Sequence, residues 1–209
     1  MLAGYDPRRY RSLGLLFSVD VGVGALNWLA WILQTMGYPD LALQRSQEAL
    51  ALAREVNDVP SLCFALAFAR ANLHVLRREW QVAQVQIEDL ERLVAQNDLP
   101  LFKAWSGFLQ GLVQVAQASA DPEEGLAQMR RCWSAWQDAG IRMGGPFLVI
   151  LLVEAYGQAG NPGQGLRLLE EGFAAIDSGG MRYYEAEMHR LRGSLLLMRE
   201  GVPVPPAVR

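Results

Sequence analysis

Four segments of the chain share one plan: a turn, a small residue, then an amphipathic run. They open at Gly37-Tyr38-Pro39-Asp40-Leu41-Ala42, Arg78-Glu79-Trp80-Gln81-Val82-Ala83, Asp121-Pro122-Glu123-Glu124-Gly125 and Gly160-Asn161-Pro162-Gly163-Gln164-Gly165. The small residues Ala42, Ala83, Gly125 and Gly165 stand 41, 42 and 40 residues apart. Four positions after each come Ser46, Ile87, Met129 and Leu169, and eleven after each come Ala53, Val94, Trp136 and Ile176. Spacings of four and seven fall on one face of an α-helix, so these positions form the expected core stripe. The small residue lets the helix approach its neighbour closely. A fixed period near forty residues marks stacked supersecondary units, and a closed bundle would not need one.

Each run ends on a breaker, at Asn57-Asp58, Asn97-Asp98, Ala139-Gly140 and Ser178-Gly179-Gly180, and Pro60, Pro100 or Gly145-Pro146 opens the next helix. Proline suits a first helical turn, where no amide hydrogen is needed. The pattern predicts A helices near 21–36, 60–77, 100–118, 146–159 and 181–199. It predicts B helices near 39–56, 80–96, 122–138 and 162–177, with Asp20 as N-cap of the first A helix. No stretch alternates with period two for long enough to make a strand. The expected fold is all-α, a right-handed α-α superhelix of about nine helices over 21–200 with a repeat of 40–42 residues. Residues 1–20 read as the end of a preceding repeat or a cap. Residues 201–209 read as a proline-rich tail, extended or without fixed structure.

Composition narrows the function. The 209 residues carry 22 acidic and 19 basic side chains, a net charge of −3, and Lys103 is the only lysine. A phosphate-binding surface needs an excess of positive charge, so direct nucleic-acid binding is not expected. No basic stretch precedes an apolar core at the N-terminus. The longest apolar stretches, 21–33 and 147–153, fall short of the ~18 residues that span a bilayer. A cytoplasmic chain without membrane contact is therefore expected. Cys63 and Cys132 are lone thiols among apolar neighbours, too few and too far apart for zinc or a disulfide framework, and read as core residues. Apolar residues make up 51%; counting the 20 Gly in place of the 6 Tyr gives about 58%, against a usual ~45–50%. That excess calls for a covering partner or a second copy.

Longer strings carry a resemblance. Tyr5-Asp6-Pro7, Asp20-Val21-Gly22-Val23, Gly37-Tyr38-Pro39-Asp40-Leu41-Ala42-Leu43, Glu48-Ala49-Leu50-Ala51-Leu52-Ala53-Arg54-Glu55 and Tyr184-Glu185-Ala186-Glu187-Met188-His189-Arg190-Leu191-Arg192-Gly193-Ser194-Leu195-Leu196-Leu197 stand in this order. Together they resemble the C-terminal tetratricopeptide-type region of large bacterial predicted ATPases, which often carry an adenylate cyclase or DNA-binding domain upstream. The region is also similar to the sensor solenoid of maltose-regulator-type transcription activators. The resemblance covers about residues 5–200. It implies a tetratricopeptide-like solenoid, the sensor and interaction half of a bacterial signalling regulator, either excised from a larger protein or free-standing. The family's phosphate-binding loop has no counterpart here, so its catalysis is not carried over.

Weighed as chemistry, the motifs give no enzyme, metal or cofactor. Gly22-Val23-Gly24-Ala25-Leu26-Asn27 lacks the third glycine and the preceding strand of a dinucleotide fingerprint. Glu185 and His189 lie four apart but lack a third ligand, since the only other histidine, His74, is repeats away. The pairs Glu123-Glu124 and Glu170-Glu171 read as exposed acids, the first complementing a helix dipole. Arg8, Arg9 and Arg11 read as a solvated face or as part of an intramolecular ion pair. The repeat register instead points to a row on the A helices, which line the concave side of such stacks: Asn27, Trp31, Gln34, Asn72, Gln110, Gln114, Gln117, Glu154, Gln158 and Arg192. Amides, charges and an indole suit a peptide main chain or a sugar-like ligand. Trp80, Trp105, Trp133 and Trp136 read as core. The expected partner is a protein or peptide. Two alternatives stay open: a small-molecule inducer in the groove, and a structural dimerisation or autoinhibitory element. Leu15, Leu16 and Phe17, with Leu29 and Ile32, form the apolar flank through which a homodimer would pair.

Overall fold

The computed structural model describes residues 5, 19–117, 121–141, 144–179 and 182–203. Among these there are nine α-helices and no strand: α1 Val21–Thr35, α2 Pro39–Val56, α3 Val59–Leu76, α4 Trp80–Gln96, α5 Pro100–Gln117, α6 Pro122–Asp138, α7 Gly145–Gln158, α8 Pro162–Gly179 and α9 Glu185–Arg199. The expected helix boundaries hold to within two residues, apart from the last. There a 3₁₀ turn over Arg182–Tyr184 precedes α9, because Tyr184 leaves helical geometry at φ −103°, ψ 5°. Inside α3, Ala65–Ala71 is π-helical, which the sequence pattern does not announce. Of the expected N-terminal segment 1–20 only Tyr5, Val19 and Asp20 are described, and of the expected tail 201–209 only residues 201–203; Arg8, Arg9, Arg11, Leu15, Leu16 and Phe17 lie outside the described residues.

Local chemistry explains the helix ends. Asp20 caps α1 as expected, its carboxylate accepting from the Gly22 and Val23 amides at 2.9 and 3.1 Å. The Tyr5 hydroxyl donates to the same carboxylate, and a Cβ on Gly22 would stand 2.5 Å from the Tyr5 ring. Pro39, Pro122 and Pro162 open α2, α6 and α8. At the C-termini one motif recurs. Gly37 is left-handed (φ 83°), its amide bonds to Gln34 O, and the Tyr38 amide reaches back to Leu33 O. The same pair of bonds surrounds Arg78 (φ 57°), Gly140 (φ 70°), Gly160 (φ 74°) and Gly201 (φ 72°). The turns after α1, α3, α7 and α9 follow one another at separations of 41, 82 and 41 residues, while Gly140 closes α6.

The chain divides into two compact units, Met1–Leu109 and Gln110–Arg209. In the first, α1 packs on α2 through Ala30 and Ala42, both fully buried, with Leu73 of α3 beside them. Phe64, Phe68 and Trp105 stack with ring centroids 4.8 and 4.3 Å apart. In the second, Gly111 of α5 and Gly125 of α6 meet backbone to backbone: a Cβ on either would stand under 3 Å from the other's carbonyl oxygen. Val149, Ile150 and Val153 of α7 pack with Leu169 and Ile176 of α8 and with Met188, Leu191 and Leu195 of α9. All four small residues of the sequence pattern are buried, as are the eight positions four and eleven residues after them.

One helix, α3, is long and apolar enough to cross a membrane by length and composition. It carries Arg70, Asn72 and His74, and 72% of it is buried inside the chain.

Candidate ligand-binding surfaces

Of the row expected on the A helices, the first unit holds Asn27, Trp31, Gln34 and Asn72. Asn27 and Asn72 are buried, at 3% and 0% exposure, so they are core amides and not open groove positions. The reason is packing across helices. Asn27 Nδ2 donates to Val23 O one turn back (3.1 Å), and Asn72 Oδ1 accepts from Trp105 Nε1 (3.1 Å). Asn27 Oδ1 and Asn72 Nδ2 are left without a partner. Trp31 and Gln34 are half-buried, and the Gln34 carbonyl oxygen also lacks a donor.

Beside Asn72 lies a polar cluster that the sequence row misses. His74 Nδ1 meets Glu79 Oε2 at 2.6 Å, and Arg77 Nε donates to Glu79 Oε1 at 2.8 Å. Burial holds the His74 imidazole below its ordinary pKa, with nearby Arg70 adding to the effect against the Glu79 hydrogen bond. Burial pushes the Glu79 carboxyl up, but the hydrogen bonds from His74 and Arg77 outweigh it and leave it below the usual value. Arg70 donates to Ser46 Oγ (3.4 Å), and its buried Nε has no acceptor. The signal was present: a four-residue Arg/His spacing in an otherwise alanine- and phenylalanine-rich helix.

The second unit holds the rest of the row. Gln110, Gln114 and Glu154 are half-buried; Gln117, Gln158 and Arg192 are exposed. The Gln114 carbonyl oxygen is buried without a donor. Arg192 lies 3.8 Å from Glu170.

The discarded motifs have structural roles. Glu185 is bonded by Arg182 (3.0 Å), while His189 stacks on Phe173 at 4.6 Å. No group of three metal-ligating side chains forms among the described residues. Glu123 and Glu124 are exposed in the first turn of α6. Burial pushes the Cys63 thiol up to about 11 and raises Cys132, so neither is a ready thiolate. Trp105 and Trp136 are core as expected; Trp80 and Trp133 are half-buried.

A cavity of about 220 Å³ opens in the second unit between α6, α7, α8 and α9. Its walls include Trp133, Val149, Leu168, Ile176 and Met188, and Gln137 and Glu171 are its exposed polar members.

The chain matches no family model, no curated protein and no solved structure.

Proposed function

We propose that this chain is a non-catalytic helical-repeat module that binds a protein or peptide. On this reading it is the sensor and interaction part of a cytoplasmic bacterial signalling or transcriptional regulator. Its architecture is then a right-handed, tetratricopeptide-like superhelix with a repeat of 40–42 residues. The recurrence of one left-handed turn at Gly37, Arg78, Gly160 and Gly201 supports that repeat. In such a superhelix the A helices line the concave side. The binding reading is carried, within each unit separately, by amide side chains left half-buried or exposed on the A helices: Gln34 in the first, and Gln110, Gln114, Gln117 and Gln158 in the second. Such amides can pair with the N–H and C=O groups of a bound main chain.

A displayed random-peptide library tests this. Selected peptides should bind the intact chain saturably and lose at least most of their affinity for Gln34→Ala or Gln114→Ala chains of unchanged helicity. Selected peptides that bind both variants as well as the parent would remove the reading.

One observation favours self-association as a second reading. On α1 and at its C-cap, Trp28, Leu29, Ile32 and Met36 are 37–64% exposed and lie along one side, with Tyr38 and Leu41 exposed just beyond. A homodimer through this flank would cover it. Sedimentation equilibrium at micromolar concentration decides: a dimer that Ile32→Glu converts to monomer supports the pairing, and a parent chain that stays monomeric as concentration rises rejects it.

A further inference from the structure

We propose that the cavity between α6, α7, α8 and α9 is a binding site for a small, flat organic cation, an arylalkylamine in class. Its ring would lie against Trp133 and its ammonium would pair with Glu171. The site is independent of the peptide-binding reading.

The volume sets the size. About 220 Å³ is below the ~300–1,000 Å³ of drug-sized pockets, so it suits a single or fused ring with a short side chain. Small residues leave the space open where α4 carries large ones. Gly172 and Ala175, both in the lining, come seven and ten residues after Gly165; Leu90 and Leu93 hold the same places after Ala83. Gly145 lines the cavity as well, and a Cβ there would already touch the Trp133 ring at 3.5 Å. Met188 supplies a movable wall. Its terminal methyl lies where a Cβ on Gly172 would be, 2.4 Å from that position, and an unbranched thioether adapts readily to a ligand's shape.

The charge sets the class. Four other acids of this unit are engaged: Glu123 by Asn161 (2.6 Å), Glu170 by Arg192 (3.8 Å), Glu185 by Arg182 (3.0 Å) and Glu187 by Arg190 (2.6 Å). Glu171, on the cavity lining, has no ion-pair or hydrogen-bond partner among the described residues. No Lys or Arg lines the cavity, so an anionic ligand meets only repulsion there. A cation gains from both the carboxylate and the π face of Trp133, and Gln137 offers an amide oxygen as a further acceptor.

Tryptamine, tryptophol and indole-3-acetate share one ring and differ in charge. Ligand-observed NMR on the full chain should show saturable tryptamine binding, tryptophol roughly tenfold weaker and indole-3-acetate without saturation. Glu171→Gln, an exposed and isosteric change, should remove most of tryptamine's advantage over tryptophol and leave tryptophol unchanged. Ala175→Phe should fill the cavity and abolish binding of both. The proposal falls if no probe saturates, if the acid or the alcohol binds as tightly as the amine, or if Glu171→Gln leaves the amine-to-alcohol ratio where it was. Should Ala175→Phe lose helicity, the Glu171→Gln comparison still decides.

Discussion

Trp105 Nε1 donates a 3.1 Å hydrogen bond to Asn72 Oδ1, and both side chains are shut off from solvent. This bond ties α3 to α5 across 33 residues of sequence. Asn72→Ala removes the acceptor from a buried indole and opens a hole beside it. The expected loss is about 1–3 kcal/mol, read as a lower urea midpoint at unchanged slope. Gln34→Ala and Gln114→Ala delete oxygens that have no donor, so each should stay within about 0.5 kcal/mol of the parent.

That contrast marks how far the sequence could be read. The buried stripe was legible because Ala42, Ala83, Gly125 and Gly165 recur in step with the residues four and eleven places on, and period alone identifies a core face. Asp20 was legible as a cap because its role is local. Asn72 was not: its register places it in the polar row, and only the fold brings Trp105 over its amide. The π segment at Ala65–Ala71 carries no proline or glycine to announce it. The cavity was hidden for a related reason, since its walls come from four helices and no single stretch encodes it.

His74 makes stability depend on pH. Its folded pKa lies below the unfolded value near 6.5, because burial disfavours the charged ring, and its buried Nε2 has no acceptor for a second proton. The unfolded chain therefore binds a proton that the folded one refuses. Stability is full above about pH 6.5 and falls as pH drops through that value toward the folded pKa. The pH dependence of the urea midpoint between pH 7.5 and 5 should shrink in His74→Gln. Glu79 adds a loss of the same sign lower down, below its unfolded value near 4.5, because its folded pKa is depressed. An unchanged pH profile in His74→Gln would show that the imidazole titrates alike in both states.

Two glycines separate space from propensity. A Cβ on Gly125 would stand 2.8 Å from the Gly111 carbonyl oxygen and 2.8 Å from Val115 Cγ2, and backbone cannot move aside cheaply. Gly125→Ala should destabilise by about 1–3 kcal/mol. Gly24 lies inside α1 with nothing within 4 Å of its would-be Cβ. Gly24→Ala should stabilise by up to about 1 kcal/mol, because alanine fixes the helical backbone at lower entropic cost. Thermal midpoints moving in opposite directions would check both.

Arg78 occupies the position that Gly37, Gly160 and Gly201 hold at the other helix ends. Its φ of 57° puts Cβ close to its own backbone, a strain glycine does not feel. The amides of Arg78 and Glu79 close the turn on Val75 O and His74 O, so the bonds themselves do not depend on the side chain at 78. The side chain is exposed. Arg78→Gly gains the relief of strain and loses some unfolded-state stiffness, and the first should win by about 0.5–1 kcal/mol. Gly160→Ala reverses the exchange at a matching turn and should cost about 1 kcal/mol. Urea midpoints of the two variants should therefore move to opposite sides of the parent. If Arg78→Gly were the less stable, contacts of the arginine side chain would outweigh the strain at that turn.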